Sequence, residues 1–147
     1  MDHVVYVDAK AGELEDLVAG IKSMIIKGAE GRKLPHGRVN QGDVLYFIKN
    51  NGEGVVRARG VVTSVINSDK LTVEESFETI IKHQDKLQLP DKLFDRVAGK
   101  RFLVLIGIGD IEEIQPFNID KSRFTNMDDW IAVGNINEVI KTNGVKV

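Results

Sequence analysis

The spacing of hydrophobic and polar positions changes several times along the chain. HVVYV, His3 to Val7, is a short β-rich run and predicts a first strand. In GELEDLVAGIKSMIIKG the apolar residues Leu14, Leu17, Val18, Ile21 and Ile25 fall at i, i+3, i+4, i+7 and i+11, the spacing of one helix face. Gly28 stands where a C-terminal cap belongs, and Lys27 falls in the last turn, where a cation suits the helix dipole. From Asp43 the period becomes that of strands: DVLYFIK, a turn at Asn50–Asn51–Gly52, then VVRARGVVTSVI. That pattern pairs Val44–Ile48 with Val55–Ile66 as a hairpin. Gly60, halfway along the second run, predicts a bend or bulge of the kind that curls a sheet.

Thr72-Val-Glu-Glu75 has the spacing of a capping box and opens a helix expected to bury Phe77, Ile80 and Ile81. Pro90 starts a shorter helix with Leu93 and Val97 inward, and Gly99 ends it. RFLVLIGIGDIEEI, from Arg101, is apolar on both faces over its first half and therefore reads as a central strand. The remainder is turn-rich, with Ile131 to Val133 placed to close a barrel. About five strands in mostly antiparallel order, with helices near the start and the middle, describe an α+β protein: a small, mostly antiparallel β-barrel with peripheral helices. No repeat, linker or composition shift divides residues 1–147, so one domain is expected.

Composition narrows the function. The formal charge of −2 draws the chain to neither nucleic acid nor membrane as a whole, so any electropositive site is local. With no cysteine and three histidines, the sequence excludes a thiolate nucleophile, a sulfur-ligated zinc site and a histidine cage. Nothing calls for a cofactor or a metal. The N-terminus lacks the pattern of a signal peptide, and the longest nearly apolar run, Phe102 to Gly109, is too short to span a bilayer, so a cytoplasmic location is expected.

The local exception is KGAEGRKLPHGRVNQGD, Lys27 to Asp43. Its first twelve residues set Lys27, Arg32, Lys33 and Arg38 against Glu30, a net +3. Gly28, Gly31 and Gly37 leave the backbone accessible to an anion, and arginine adds a planar fork suited to phosphate. The other reading is a solvated loop. A Walker loop does not fit, because the GK[ST] ending is missing and the stretch is expected to leave a helix instead of a strand.

This region resembles the signature of the PUA-like superfamily, most closely its ASCH (activating-signal-cointegrator homology) branch. There a helix runs into a G-x-K-type basic loop, an arginine follows, and a G-D pair leads into a barrel strand. Gly28, Arg32, Lys33, Arg38, Gly42 and Asp43 are the matching positions, and the likeness extends through the hairpin and the RFLVLIGIGDIEEI strand. The resemblance implies a barrel with a cleft beside the loop and a partner among RNA, modified bases and nucleosides. The expected ligand-binding set is Gly28, Gly31, Arg32, Lys33, His36 and Arg38 from the loop, Arg57 and Arg59 from one strand face, and Trp130 as a base-stacking ring.

Each has a plainer alternative. Arg57 and Arg59 read equally well as ordinary surface charges, and His36 as an exposed polar residue. A lone Trp130, with Phe124 nearby, is more often core filling. Asp128 and Asp129 read as a turn or cap. Some ASCH-type proteins are amidohydrolases acting on acylated cytidine, with a lysine followed directly by threonine and a glutamate a few residues on. Here Lys33 is followed by Leu34, and Glu30 precedes it. No threonine lies between Lys27 and Asp43, so Lys33, Glu30 and Thr63 are the candidates only if the chain is an enzyme, and binding is the favoured reading. A protein partner is also open, through an acidic face around Glu13, Glu15 and Asp16.

Overall fold

The apolar run from Phe102 becomes the strand on which the sheet is assembled. The computed structural model describes residues 1–120 and 129–141. In chain order the elements are β1 (Asp2–Val7), α1 (Glu13–Val18), β2 (Met24–Ala29), β3 (Val44–Lys49), β4 (Val55–Asn67), α2 (Val73–Lys82), α3 (Gln84–Leu87), α4 (Asp91–Val97), β5 (Phe102–Asn118) and β6 (Trp130–Gly134). The strands form one curled, half-barrel sheet in the order β2-β5-β4-β3-β1-β6. The β3–β4 hairpin is as expected, and β5 is an interior strand, paired with β2 on one side and β4 on the other. The sheet is mixed, however, since β1 runs parallel to β3. β6, Trp130–Gly134, is the strand anticipated at Ile131–Val133, and it pairs antiparallel with β1. Phe124 and Asp128 lie outside the described residues.

Three expectations are corrected. The helix stops at Val18, and Met24–Ala29 is a strand. Gly20, at φ 76°, turns the chain in a conformation that favours glycine, leaving Ile21 exposed. Met24 and Ile26 then pack under the helices while Ile25 packs inside the curl. An apolar triplet buried on both faces carries no period, so the pattern could not separate strand from helix. Gly28 is therefore no cap, and the basic loop leaves a strand; a Walker loop remains excluded by the missing GK[ST] ending.

In α2 the buried line is Ser76 and Ile80, with Phe77 and Ile81 exposed. Ser76 Oγ accepts the Gly99 N–H at 3.1 Å, which sets that side of the helix against the turn before β5. The capping box forms as read: Thr72 Oγ1 accepts from Glu75 N at 3.1 Å and Glu75 Oε1 from Thr72 N at 2.9 Å. No described helix is long and apolar enough to cross a membrane.

Curvature comes from β4 against β5. Their register shifts three times, between Val56 and Ala58, Arg59 and Val61, and Val62 and Ser64. Gly60 lies within the middle shift, and a Cβ there stands 2.5 Å from Ile108 Cγ2. Gly60→Val is therefore expected to cost about 1–3 kcal/mol through overpacking, whereas Gly31→Ala, with open space around it, stays within about 0.5 kcal/mol. Denaturant midpoints of the two variants test this, and equal stabilities refute the close-approach account.

Candidate functional site

Because β2 is an outer strand, only one of its edges is covered. Ile108 N–H donates to the Ser23 carbonyl at 2.9 Å, and the β2–β5 register is unbroken. Antiparallel alternation then turns the main-chain groups of Ile26 and Gly28 away from β5. A cleft of about 340 Å³ runs along this free edge. Its apolar lining comes from Ile26, Leu93, Val97, Phe102 and Val104, and its polar wall from Gly28, Gly31, Lys33 and His36 of the basic loop. Lys27, Arg96, Glu13 and Asp129 stand where it opens into a second hollow of about 310 Å³ beside Tyr6 and Gly52.

Those charges tie together the two ends of the curl. Lys27 Nζ reaches from β2 to Asp129 Oδ2 at 2.9 Å and donates to the Tyr6 carbonyl at 3.2 Å. Arg96 of α4 pairs with Asp8 at 3.2 Å. Glu13 is held by the buried Lys22 at 2.9 Å. Partial desolvation raises the Asp129 carboxyl, but Lys27, at hydrogen-bond distance, and the charge of Lys33 outweigh it, and the net shift is downward.

The loop itself is a series of tight turns. The N–H groups of Lys33, His36 and Arg38 donate to Gly31, Lys33 and Pro35 carbonyls, and that of Gly37 to Asn67 Oδ1. These four amides are already engaged, so the loop's side chains, more than its amides, meet an anion. His36 Nε2 lies 2.8 Å from the Ser68 carbonyl, which only accepts, so this nitrogen carries the proton and the ring anchors the loop. Arg32 stacks over Phe102 with Cζ 5.7 Å from the ring centroid.

No family model matches the chain, and no curated protein does. Among solved structures it is similar to the ASCH protein from Zymomonas mobilis. Two mutant forms of that protein match with TM-scores of 0.68 and 0.67 at 12% and 13% identity, covering 93% of this chain and 93% and 91% of theirs. A third structure of it gives 0.66 at 13% identity, covering 93% and 91%. The fold is that of the Zymomonas mobilis ASCH protein. At such identity the likeness is one of fold, and the chemistry of this chain rests on its own side chains.

Gly28, Gly31, Lys33 and His36 meet at the cleft, with Arg32 against its Phe102. Arg38 is exposed but does not line it. Arg57 pairs with Glu53 through both Nε and Nη2, at 2.9 and 3.1 Å, and Arg59 pairs with Glu112 at 2.6 Å. Both lie away from the cleft and are largely neutralised. Glu30 faces Lys100 and Arg101, and Thr63 packs over Gly107 and Gly109, so Lys33, Glu30 and Thr63 do not converge. The acidic face is also reduced, since Glu13 pairs with Lys22 and Glu15 with Lys49.

The sequence pattern does not mark Arg96 and Phe102 as lining residues, and it presents Asp129 as a turn or cap. The basic–acidic alternation of α4 was a weak signal for Arg96. Nothing local marked Phe102.

Trp130 belongs to the core, with 1% of its surface exposed. Its indole N–H donates to His3 Nδ1 at 3.1 Å, and the fully buried His3 donates from Nε2 to Asp43 Oδ2 at 2.8 Å. Trp130 thus offers no free face to a base, and Asp43 does more than begin a strand. Burial raises the Asp43 carboxyl, but the bonds from His3 and the Asn40 amide outweigh it and hold the group below its ordinary 3.8. A depressed carboxylate contributes stability above its unfolded value, and that contribution is lost as pH falls through the folded one. Asp43→Asn should therefore cost about 1–3 kcal/mol at neutral pH and lose less stability than the parent on acidification below about pH 4. Parallel acid-unfolding curves for the two proteins would contradict the network.

Proposed function

We propose that this chain binds RNA or a modified nucleotide, one nucleotide unit entering the cleft along the free edge of β2. The observation that carries this reading is the pairing of an apolar floor with a cationic rim in a volume of about 340 Å³. That volume lies near the lower end of the range for small-molecule sites. It suits one base and its sugar, not a duplex. A base lies against Ile26, Phe102 and Val104, and the outward main-chain groups of Ile26 and Gly28 offer a donor and an acceptor to its polar edge. Lys33 and Arg32 take the anionic part.

Binding to single-stranded RNA is expected at low salt and is released as salt rises, because few phosphates are neutralised. Arg32→Ala with Lys33→Ala should weaken a nucleoside monophosphate by about tenfold or more, from the loss of charge-assisted bonds. Across RNA sequences it should act about equally. Titrations at low ionic strength decide: no detectable binding, or an unchanged double variant, removes the loop from the site.

The alternative reading, an amidohydrolase acting on an acylated nucleoside, needs a nucleophile or activated water, a base and an oxyanion donor within a few ångströms. The separation of Glu30 and Thr63 from Lys33 favours binding without turnover. Incubation with a panel of N-acylated nucleosides should give no deacylation. Hydrolysis that disappears in Lys33→Ala would establish the enzyme instead.

A further inference from the structure

We infer that a single-stranded polynucleotide leaves the cleft across Lys100 and Arg101, whose side chains form the phosphate track, and not across Arg57 and Arg59. This rests on the cleft as the nucleotide site and adds the direction in which the strand runs.

Lys100 and Arg101 stand between α4 and β5, about seventy positions from the basic loop in sequence, yet the fold sets them against it. Gly28 is the point of contact. Its φ is not in the left-handed region, so backbone freedom does not explain a glycine here. A Cβ at Gly28 would stand 3.2 Å from Lys100 Cγ and 3.3 Å from Lys100 Cβ. The missing side chain lets the aliphatic stem of Lys100 pack against Gly28, which lines the cleft, so that Lys100 stands beside the cleft without lining it. Lys100 Nζ lies 3.8 Å from Glu30 and Arg101 Nε 3.5 Å from the same carboxylate.

One carboxylate thus faces two cations, both partly exposed, at 39% and 58%, and the cluster keeps a positive excess. Phe102, the next residue, carries the guanidinium of Arg32 on its ring, which continues the positive surface to the loop. Arg57 and Arg59 present the opposite case, each matched one to one by a glutamate. A phosphate seeks uncompensated charge, so the strand follows Lys100 and Arg101. A base in the cleft with its neighbouring phosphate at Lys100 requires an unstacked strand, hence a single-stranded partner.

The test compares a nucleoside monophosphate with a ten-nucleotide single-stranded RNA of mixed sequence, each titrated at several salt concentrations. Lys100→Ala with Arg101→Ala should leave the monophosphate unchanged and weaken the oligomer. Its log–log salt slope should fall by about 1.4, two contacts at about 0.7 each. Glu30→Gln, which removes the competing carboxylate, should tighten the oligomer, and Arg57→Ala with Arg59→Ala should alter neither ligand. The track is refuted if the oligomer binds the Lys100/Arg101 variant as it binds the parent, if the Arg57/Arg59 variant loses as much, or if Glu30→Gln weakens binding. Should the monophosphate bind and the oligomer bind no more tightly, the cleft stands and the track falls. Should the parent protein bind neither, the cleft reading itself fails and takes the track with it.

Discussion

The constraint on which the architecture depends is the close approach of β4 and β5. These are the two longest strands, and three register shifts along their ladder bend both. The bend is possible because side chains are absent where the strands press together: Gly60 faces Ile108, and Gly107 and Gly109 lie beneath Ser64 and Thr63. A straighter pair would leave β2 and β1 far apart on a flat sheet. Curled, it brings the outer edge of β2 opposite β1 and β6, with the apolar interior of Val5, Phe47, Val62, Ile106 and Trp130 between.

Among the described residues no strand ladder joins β2 to β6, and side chains bridge the gap instead. Lys27 and Asp129 span it directly, and Arg96 with Asp8 fastens α4 beside it. An open edge of this kind exposes main-chain donors and acceptors, which invites pairing with another chain. Here the basic loop and α4 stand on either side of it, and the edge becomes the wall of a cleft. The same incompleteness that leaves the half-barrel open thus gives it a recessed polar strip against an apolar floor.

Electrostatics then divide the surface by compensation, not by residue count. The chain is acidic overall, and several of its exposed or half-buried cations are matched by a nearby carboxylate, as at Arg57 with Glu53, Arg59 with Glu112 and Lys49 with Glu15. Around the loop this matching is incomplete, because Glu30 is shared by Lys100 and Arg101 while Arg32 rests on an aromatic ring. Exposed pairs contribute little to stability, so their value here lies in shaping where an anion is drawn. Stability is served by a different arrangement, the buried line from Trp130 through His3 to Asp43.

Local sequence determined much of this. The hairpin, the bend at Gly60, the capping box at Thr72 and the interior β5 were all legible, because each depends on neighbouring residues: turn chemistry, alternation, or an apolar run bounded by breakers. The resemblance of the Gly28–Asp43 region to ASCH domains agreed with the fold. What only the tertiary structure decided were matters of pairing at a distance. Met24–Ala29 became a strand because β5 was available to pair with it, and a triplet apolar on both faces has no period to announce that choice. Arg57 and Arg59 looked like Lys100 and Arg101 in sequence, but the former are neutralised across a ladder or turn and the latter share one carboxylate. Charge is written in the chain, whereas its compensation depends on which residues the curl brings within a few ångströms of one another.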